Sequence, residues 1–275
     1  METRSLSANE ARVILSLEAS RREEVSLDSV QQLAGVSRGY ARKLAHTLVA
    51  KGWLQRVGRG EYLLIPARHG PGTGPDTDPL RFGARIARPY YFGFATAAEL
   101  LGLLPQASRV YYVVTTARGA SRLEHAAQFR RIRVSTHRFF GTRRMTRRGV
   151  RMVVSDVERT LLDCLARPDL AGGLGGVLRI LESAGQRLDW PRLDQYLDRI
   201  GERSLALRLG FLVEQLPAGP RPPAAWLRRT IARPEEPFVP LGPPKEFGRR
   251  GPHDPRWHVI RNVPDSLLHA EVDVR

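Results

Sequence analysis

The sequence of 275 residues has a single cysteine, Cys164. One thiol excludes an internal disulfide and any zinc site built from several cysteines, and it suits a reducing compartment. No apolar run approaches the ~18 residues needed to cross a bilayer, so neither a transmembrane helix nor a membrane partner is expected. The N-terminal stretch METRSLSANEARVILSLEAS lacks a basic segment followed by unbroken apolar residues. No secretory signal is therefore expected, and the expected location is cytoplasmic. Lysine is scarce: only Lys43, Lys51 and Lys245 stand among 44 basic residues, and the others are arginine. Acidic residues are also few, 28 in all, which leaves a formal net charge of +16. An excess of this size attracts polyanions at long range, so nucleic acid is the first partner to expect.

Catalytic and metal-binding patterns are missing as well. Six of the histidines, His69, His125, His137, His253, His258 and His269, are scattered without ligand spacing. Cys164 sits in the apolar run Leu161-Leu162-Asp163-Cys164-Leu165, the setting of a buried, inert thiol. Gly172-Gly173-Leu174-Gly175-Gly176 is not followed by Lys-Ser or Lys-Thr and reads as a helix entry, not a phosphate loop. Asp156, Glu158 and Asp163 are explained by capping and surface solvation. The expectation is a protein that is not an enzyme, with no cofactor and no metal.

What is present is a hydrophobic content of 42%, enough for packed cores. The length suits two domains at ~100–200 residues each. Proline and glycine crowd residues 66–79, which read as a linker. They crowd again at 217–255, where 11 of the 20 prolines fall, and this stretch reads as an extended arm. The expected division is residues 1–66, a linker at 67–79, a larger domain at 80–216, and a Pro-rich extended region at 217–275.

The first 66 residues carry three helix starts. Ser7-Ala8-Asn9-Glu10 fits a capping box, with a helix to about Ser20 whose apolar positions are Ala11, Ile14, Leu15 and Leu17. Ser26 caps a second helix facing inward through Leu27, Val30, Leu33 and Ala34, and Gly35 ends it. Ser37 caps a third from Arg38 to Lys51, with Gly52 as its left-handed stop. Two helices across a turn form a helix-turn-helix, and the second enters a major groove. Its polar face carries Arg38, Tyr40, Arg42, Lys43 and His46, with no acid between Asp28 and Glu61. His46 reads as a surface or packing residue, and Tyr40 equally as an aromatic half-buried on the hairpin that follows. That hairpin runs from Trp53 to Ile65 around Gly58-Arg59-Gly60 and reads as a wing, with Arg56 and Arg59 near its tip for phosphate or the minor groove. Ser37, Arg38, Tyr40, Arg42, Lys43, Arg56 and Arg59 are the candidate DNA-binding residues. A solvated face with no partner is the plainer reading of the same side chains.

The region 80–216 reads as strands followed by helices, an α+β arrangement with a small sheet. Thr96-Ala97-Ala98-Glu99 fits a capping box closed by Pro105. Strands are expected at 109–116, 129–135 and 150–154. Ser155-Asp156-Val157-Glu158 repeats the capping box, and helices follow near 174–184, 193–200 and 204–216. Between Glu124 and Asp156 there is no acid, while nine arginines fall there. Arg130, Arg131, Arg133, Arg143, Arg144, Arg147 and Arg148, with Arg138 and Arg151, read as an arginine-rich hairpin fit for DNA, RNA or an acidic protein face. An edge hairpin whose arginines deter strand pairing is the alternative.

Several of these segments together resemble the AbiEi family, the antitoxins of AbiE-type (type IV) toxin–antitoxin systems. The resemblance lies in Gly52-Trp53-Leu54 leading to Arg59-Gly60-Glu61-Tyr62, and in Phe94-Ala95-Thr96-Ala97-Ala98-Glu99-Leu100. It continues through the arginine hairpin into Val154-Ser155-Asp156-Val157-Glu158-Arg159-Thr160-Leu161-Leu162-Asp163-Cys164-Leu165 and then Arg208-Leu209-Gly210-Phe211-Leu212-Val213-Glu214. It covers roughly residues 5–216 and is most specific in Glu158–Asp163. The resemblance implies an autorepressor that binds duplex DNA upstream of its own operon through an N-terminal winged helix. It also implies that the second domain counteracts a nucleotidyltransferase toxin encoded nearby. Two other classes stay open: a winged-helix regulator without a toxin, and a DNA-binding nuclease, for which Glu246 and Glu271-Val272-Asp273 lack the needed acid and E-x-K context.

Overall fold

The computed structural model describes residues 5–20, 24–58, 60–67, 80, 87–105, 110–118, 129–147, 149–216 and 219–269. The fold is mixed α and β with small separate sheets, an α+β arrangement. The chain divides into two compact units, residues 1–86 with 119–129, and residues 87–118 with 130–275. Of the expected linker, residues 68–79 lie outside the described residues. No helix among the described residues is long and apolar enough to cross a membrane.

In the first unit, α1 (Ala8–Ala19) starts as its capping box dictates: Ser7 and Glu10 satisfy each other's orphan amides, the Ser7 N–H reaching Glu10 Oε2 at 2.7 Å. Strand β1 (Glu24–Ser26) leads into α2 (Leu27–Ala34), capped by Ser26 and ended by Gly35 at φ 64°. Helix α3 (Arg38–Ala50) follows, and then β2 (Leu54–Gly58) and β3 (Glu61–Leu64) close a sheet in the order β1-β3-β2. Its core joins Ile14 and Leu17 to Val30, Leu44, Leu48 and Tyr62. The expected inward face of α1 needs one correction. Leu15 is 64% exposed and Val13 is buried in its place, because the helix turns its 13–14–17 ridge inward.

The second unit is built on a five-stranded sheet in the order β6-β5-β4-β8-β7, made of β4 (Tyr90–Phe92), β5 (Tyr111–Thr115), β6 (Phe129–Arg133), β7 (Thr142–Arg147) and β8 (Val150–Ser155). Strand β4 was not expected from the sequence. It lies at the centre, antiparallel to β5 and parallel to β8. Helix α4 (Phe94–Leu100) begins before Thr96, whose hydroxyl takes the Tyr112 N–H at 2.8 Å instead of capping a helix. The second expected capping box is displaced too: Asp156 caps α5 (Val157–Ala166) through the Arg159 N–H, and Ser155 turns its hydroxyl to Thr160 at 2.7 Å.

Helices α6 (Gly173–Ala184), α7 (Trp190–Ile200) and α8 (Arg203–Gln215) pack beside α5 around Leu161, Leu162, Leu181 and Leu209. The tail is not an extended arm. Helix α9 (Ala224–Thr230), a three-stranded sheet of β9 (Val239–Pro240), β10 (His253–Asp254) and β11 (Val259–Ile260), the short α10 (Pro244–Phe247) and α11 (Asp265–His269) fold onto the same core. The reason is apolar payload: Trp226, Leu241, Trp257, Val259 and Leu268 are all buried there. Trp257 fits because residue 210 is glycine, where a Cβ would lie 2.0 Å from its ring. The rings of Trp190 and Trp226 stand 5.0 Å apart, and those of Trp226 and Trp257 6.4 Å.

Candidate nucleic-acid interface

Helix α3 is amphipathic by sequence. Ala41, Leu44, Ala45 and Leu48 face the core, which leaves Arg38, Tyr40, Arg42, Lys43 and His46 exposed on the other side. Ser37 is committed to the cap, its hydroxyl 3.4 Å from the Tyr40 N–H. The β2–β3 hairpin carries an irregularity between Arg56 and Gly58, and Arg56 is paired with Tyr62 across it. A hydrogen bond from the Leu27 N–H to the Gly60 carbonyl, 2.8 Å, fixes the hairpin to the start of α2.

These elements enclose a polar cleft of about 570 Å³, into which Arg38, Arg42, His46 and Arg56 converge with Asp28, Glu61 and Tyr62. Of the sequence candidates, Arg38, Arg42 and Arg56 are therefore brought together. Tyr40 stands 47% exposed, and Lys43 is exposed on α3. Arg59 lies outside the described residues. Sequence reasoning set His46 aside as a surface or packing residue and did not name Asp28 or Glu61 for the site. His46 follows Arg38 and Arg42 at successive intervals of four, a helical spacing that does signal a shared face. Asp28 meets Arg38 only through the turn between α2 and α3, with Nη1 to Oδ1 at 2.7 Å. Three guanidinium-bearing side chains around a groove suit phosphate and base-edge acceptors.

The arginines of 130–151 do not form one hairpin. Arg130, Arg131 and Arg133 lie on β6 and Arg143, Arg144 and Arg147 on β7, at opposite edges of the sheet. At the usual ~4.8 Å between strands, those edges are about 19 Å apart. The hairpin that exists is β7–β8, with Arg143 opposite Val154 and Arg144 opposite Val153. Successive arginines along one strand thus point to different faces. Arg148 lies outside the described residues.

The acids around α5 are not surface groups. Glu158 is buried and accepts the Asp189 N–H at 2.8 Å, and Asp163 pairs with Arg159 in the interior. Burial raises the Asp163 carboxyl above its ordinary range, against the pull of the Arg159 charge beside it. Asp156 caps α5 and also accepts the Tyr196 hydroxyl at 2.7 Å. Cys164 is fully buried, and burial pushes its thiol well above the ordinary value. Among the described residues no group of three or more His, Cys, Asp or Glu side chains is placed to hold a metal ion.

The molecule is thus defined as a two-unit α+β protein with a basic helix–hairpin cleft in its first unit. No protein-family profile matches the chain, and no curated protein matches it. It is similar in fold to the crystal structure of the Rv2827c protein from Mycobacterium tuberculosis, with a TM-score of 0.69 over 98% of this chain and 96% of that one, at 18% sequence identity.

Proposed function

We propose that this chain is a DNA-binding regulator that reads duplex DNA through α3 and steadies it with the β2–β3 hairpin. In this reading the first unit is a winged helix: helix, strand, two helices across a turn, then a two-stranded wing. The observation that carries the proposal is the convergence of Arg38, Arg42 and Arg56 on one cleft beside the exposed face of α3. The resemblance to AbiEi antitoxins extends the proposal. The DNA is the operator of the chain's own operon, and the second unit counteracts a nucleotidyltransferase toxin encoded nearby, with no catalysis of its own.

Two experiments test it. Fluorescence anisotropy with duplexes from the upstream region should give specific binding that weakens by about 1–3 kcal/mol on Arg42→Ala. Equal binding to scrambled duplexes would defeat the readout. Co-expression with the neighbouring nucleotidyltransferase should restore growth. Toxicity that persists would reduce the proposal to a regulator without a toxin.

A further inference from the structure

Asp28 sits in the first turn of α2, and its Oδ1 receives Arg38 Nη1 at 2.7 Å within the cleft. Both side chains are well exposed, 62% for Arg38 and 74% for Asp28. An ion pair in water contributes little to stability, so the use of this one is sought in the cleft, where Arg42, His46 and Arg56 stand beside it and Glu61 is the second acid. Between Asp28 and Glu61 the sequence has no acid.

We infer that Asp28 is a positioning residue that holds Arg38 as a base reader, lowering the affinity for DNA in general while raising sequence discrimination. This rests on the DNA-binding reading above. The chemistry follows from the shape of the guanidinium, which presents five N–H donors in a rigid plane. The carboxylate engages one donor at Nη1 and leaves the rest of the fork for two further acceptors, the pattern that guanine O6 and N7 present in the major groove. Without Asp28, Arg38 swings to the nearest phosphate, a partner available on any sequence. With it, the carboxylate repels phosphates near the mouth of the groove, so a backbone contact there is penalised and a guanine contact is not. Both effects widen the ratio between cognate and non-cognate binding.

The test is a double-mutant cycle on the full chain, with Asp28→Asn, Arg38→Ala and the double variant. Anisotropy is read on the upstream duplex, on the same duplex with single guanines replaced, and on a scrambled one. Asp28→Asn should bind the scrambled duplex several-fold more tightly, while the cognate-to-scrambled ratio falls about tenfold, the scale of one bidentate contact. In the Arg38→Ala background the same change should still tighten binding but leave the ratio where it is. A ratio that does not fall, or that falls equally in both backgrounds, overturns the inference while DNA binding stands. A wild-type chain that binds none of the duplexes overturns the DNA-binding reading, and the inference with it. Asp28→Ser, which keeps a short hydrogen-bonding side chain in the helix's first turn, should reproduce the loss of discrimination if the asparagine variant proves unstable.

Discussion

Arg159 and Asp163 lie one helical turn apart on α5 and form a two-point ion pair in the interior, Nη2 to Oδ1 at 2.8 Å and Nε to Oδ2 at 3.0 Å. Tyr91 donates its hydroxyl to the same carboxylate at 3.4 Å, and the Phe140 ring lies 4.4 Å from the guanidinium carbon. Gly141 makes room for this arrangement at φ 68°, where a Cβ would come within 2.8 Å of Arg159 Cβ. A pair buried so completely, with Arg159 2% exposed, lies between α5 and the sheet's central strand.

Removing only the acid should leave an uncompensated buried charge. Asp163→Ala is expected to lower unfolding free energy in urea by about 3–5 kcal/mol, and Arg159→Met with Asp163→Leu to recover most of it. A single variant no less stable than the double would show that the charges are not energetically linked.

On the DNA side, base readers and phosphate binders should separate by salt. If Lys43 and Arg56 each neutralise one phosphate, replacing either with alanine should reduce the slope of log K against log salt by about 0.9, with similar weakening on every sequence. An unchanged slope for both variants would place the hairpin and the outer face of α3 away from the backbone.

Because the sheet's arginines occupy two edges, their roles can be dissected. If the second unit counteracts a toxin as proposed, Arg143→Glu with Arg144→Glu on β7 should abolish rescue, whereas Arg130→Glu with Arg133→Glu on β6 should not. All four side chains are exposed, so neither variant should shift the melting temperature by more than a few degrees. Equal loss from both edges would point to general charge in place of a docking face.

The tail should prove integral to the second unit. Gly210→Ala drives a methyl into the Trp257 ring and is expected to cost about 1–3 kcal/mol. A chain ending at residue 216 should lose far more, since Trp226, Leu241 and Trp257 leave the core together. Wild-type stability in the truncated chain would contradict this.

Glu10 gives the first unit an acid-side dependence. Burial works against its charge, but hydrogen bonds from Lys51 Nζ at 2.8 Å and from the Ser7 N–H hold its carboxyl below the ordinary value of 4.5. A lowered carboxylate adds stability that is fully present above the ordinary value and is lost as pH falls below it through the lowered one. The protection of α1 amides, corrected for the intrinsic exchange rate at each pH, should therefore fall below about pH 4.5. Glu10→Gln should flatten that dependence and leave the unit less stable near neutrality.

The first unit was legible because its signals are local. Ser7, Ser26 and Ser37 each cap the helix they precede, and Gly35 and Gly52 take the left-handed turns their positions require. Local reading erred where a partner distant in sequence competes. Thr96 and Ser155 have the grammar of caps, but Tyr112 and Thr160 claim their hydroxyls. The arginine segment has the grammar of a hairpin, yet the β-strand at Tyr90–Phe92, too short to register as a pattern, enters the sheet between its two halves. The cleft was half visible: helical spacing groups Arg38, Arg42 and His46, while the approach of Asp28 depends on the angle between two helices.

The run of indoles at Trp190, Trp226 and Trp257 makes the second unit its own optical reporter. At these ring separations the strong far-ultraviolet transitions of neighbouring indoles couple and add an exciton couplet to the dichroism. Two of the three belong to the tail, so the couplet registers tail docking and is lost when it undocks, even while α5–α8 keep their helical bands. Trp53 belongs to the other unit and adds an emission of its own. A single cuvette therefore distinguishes loss of the tail from melting of the first unit without any label attached.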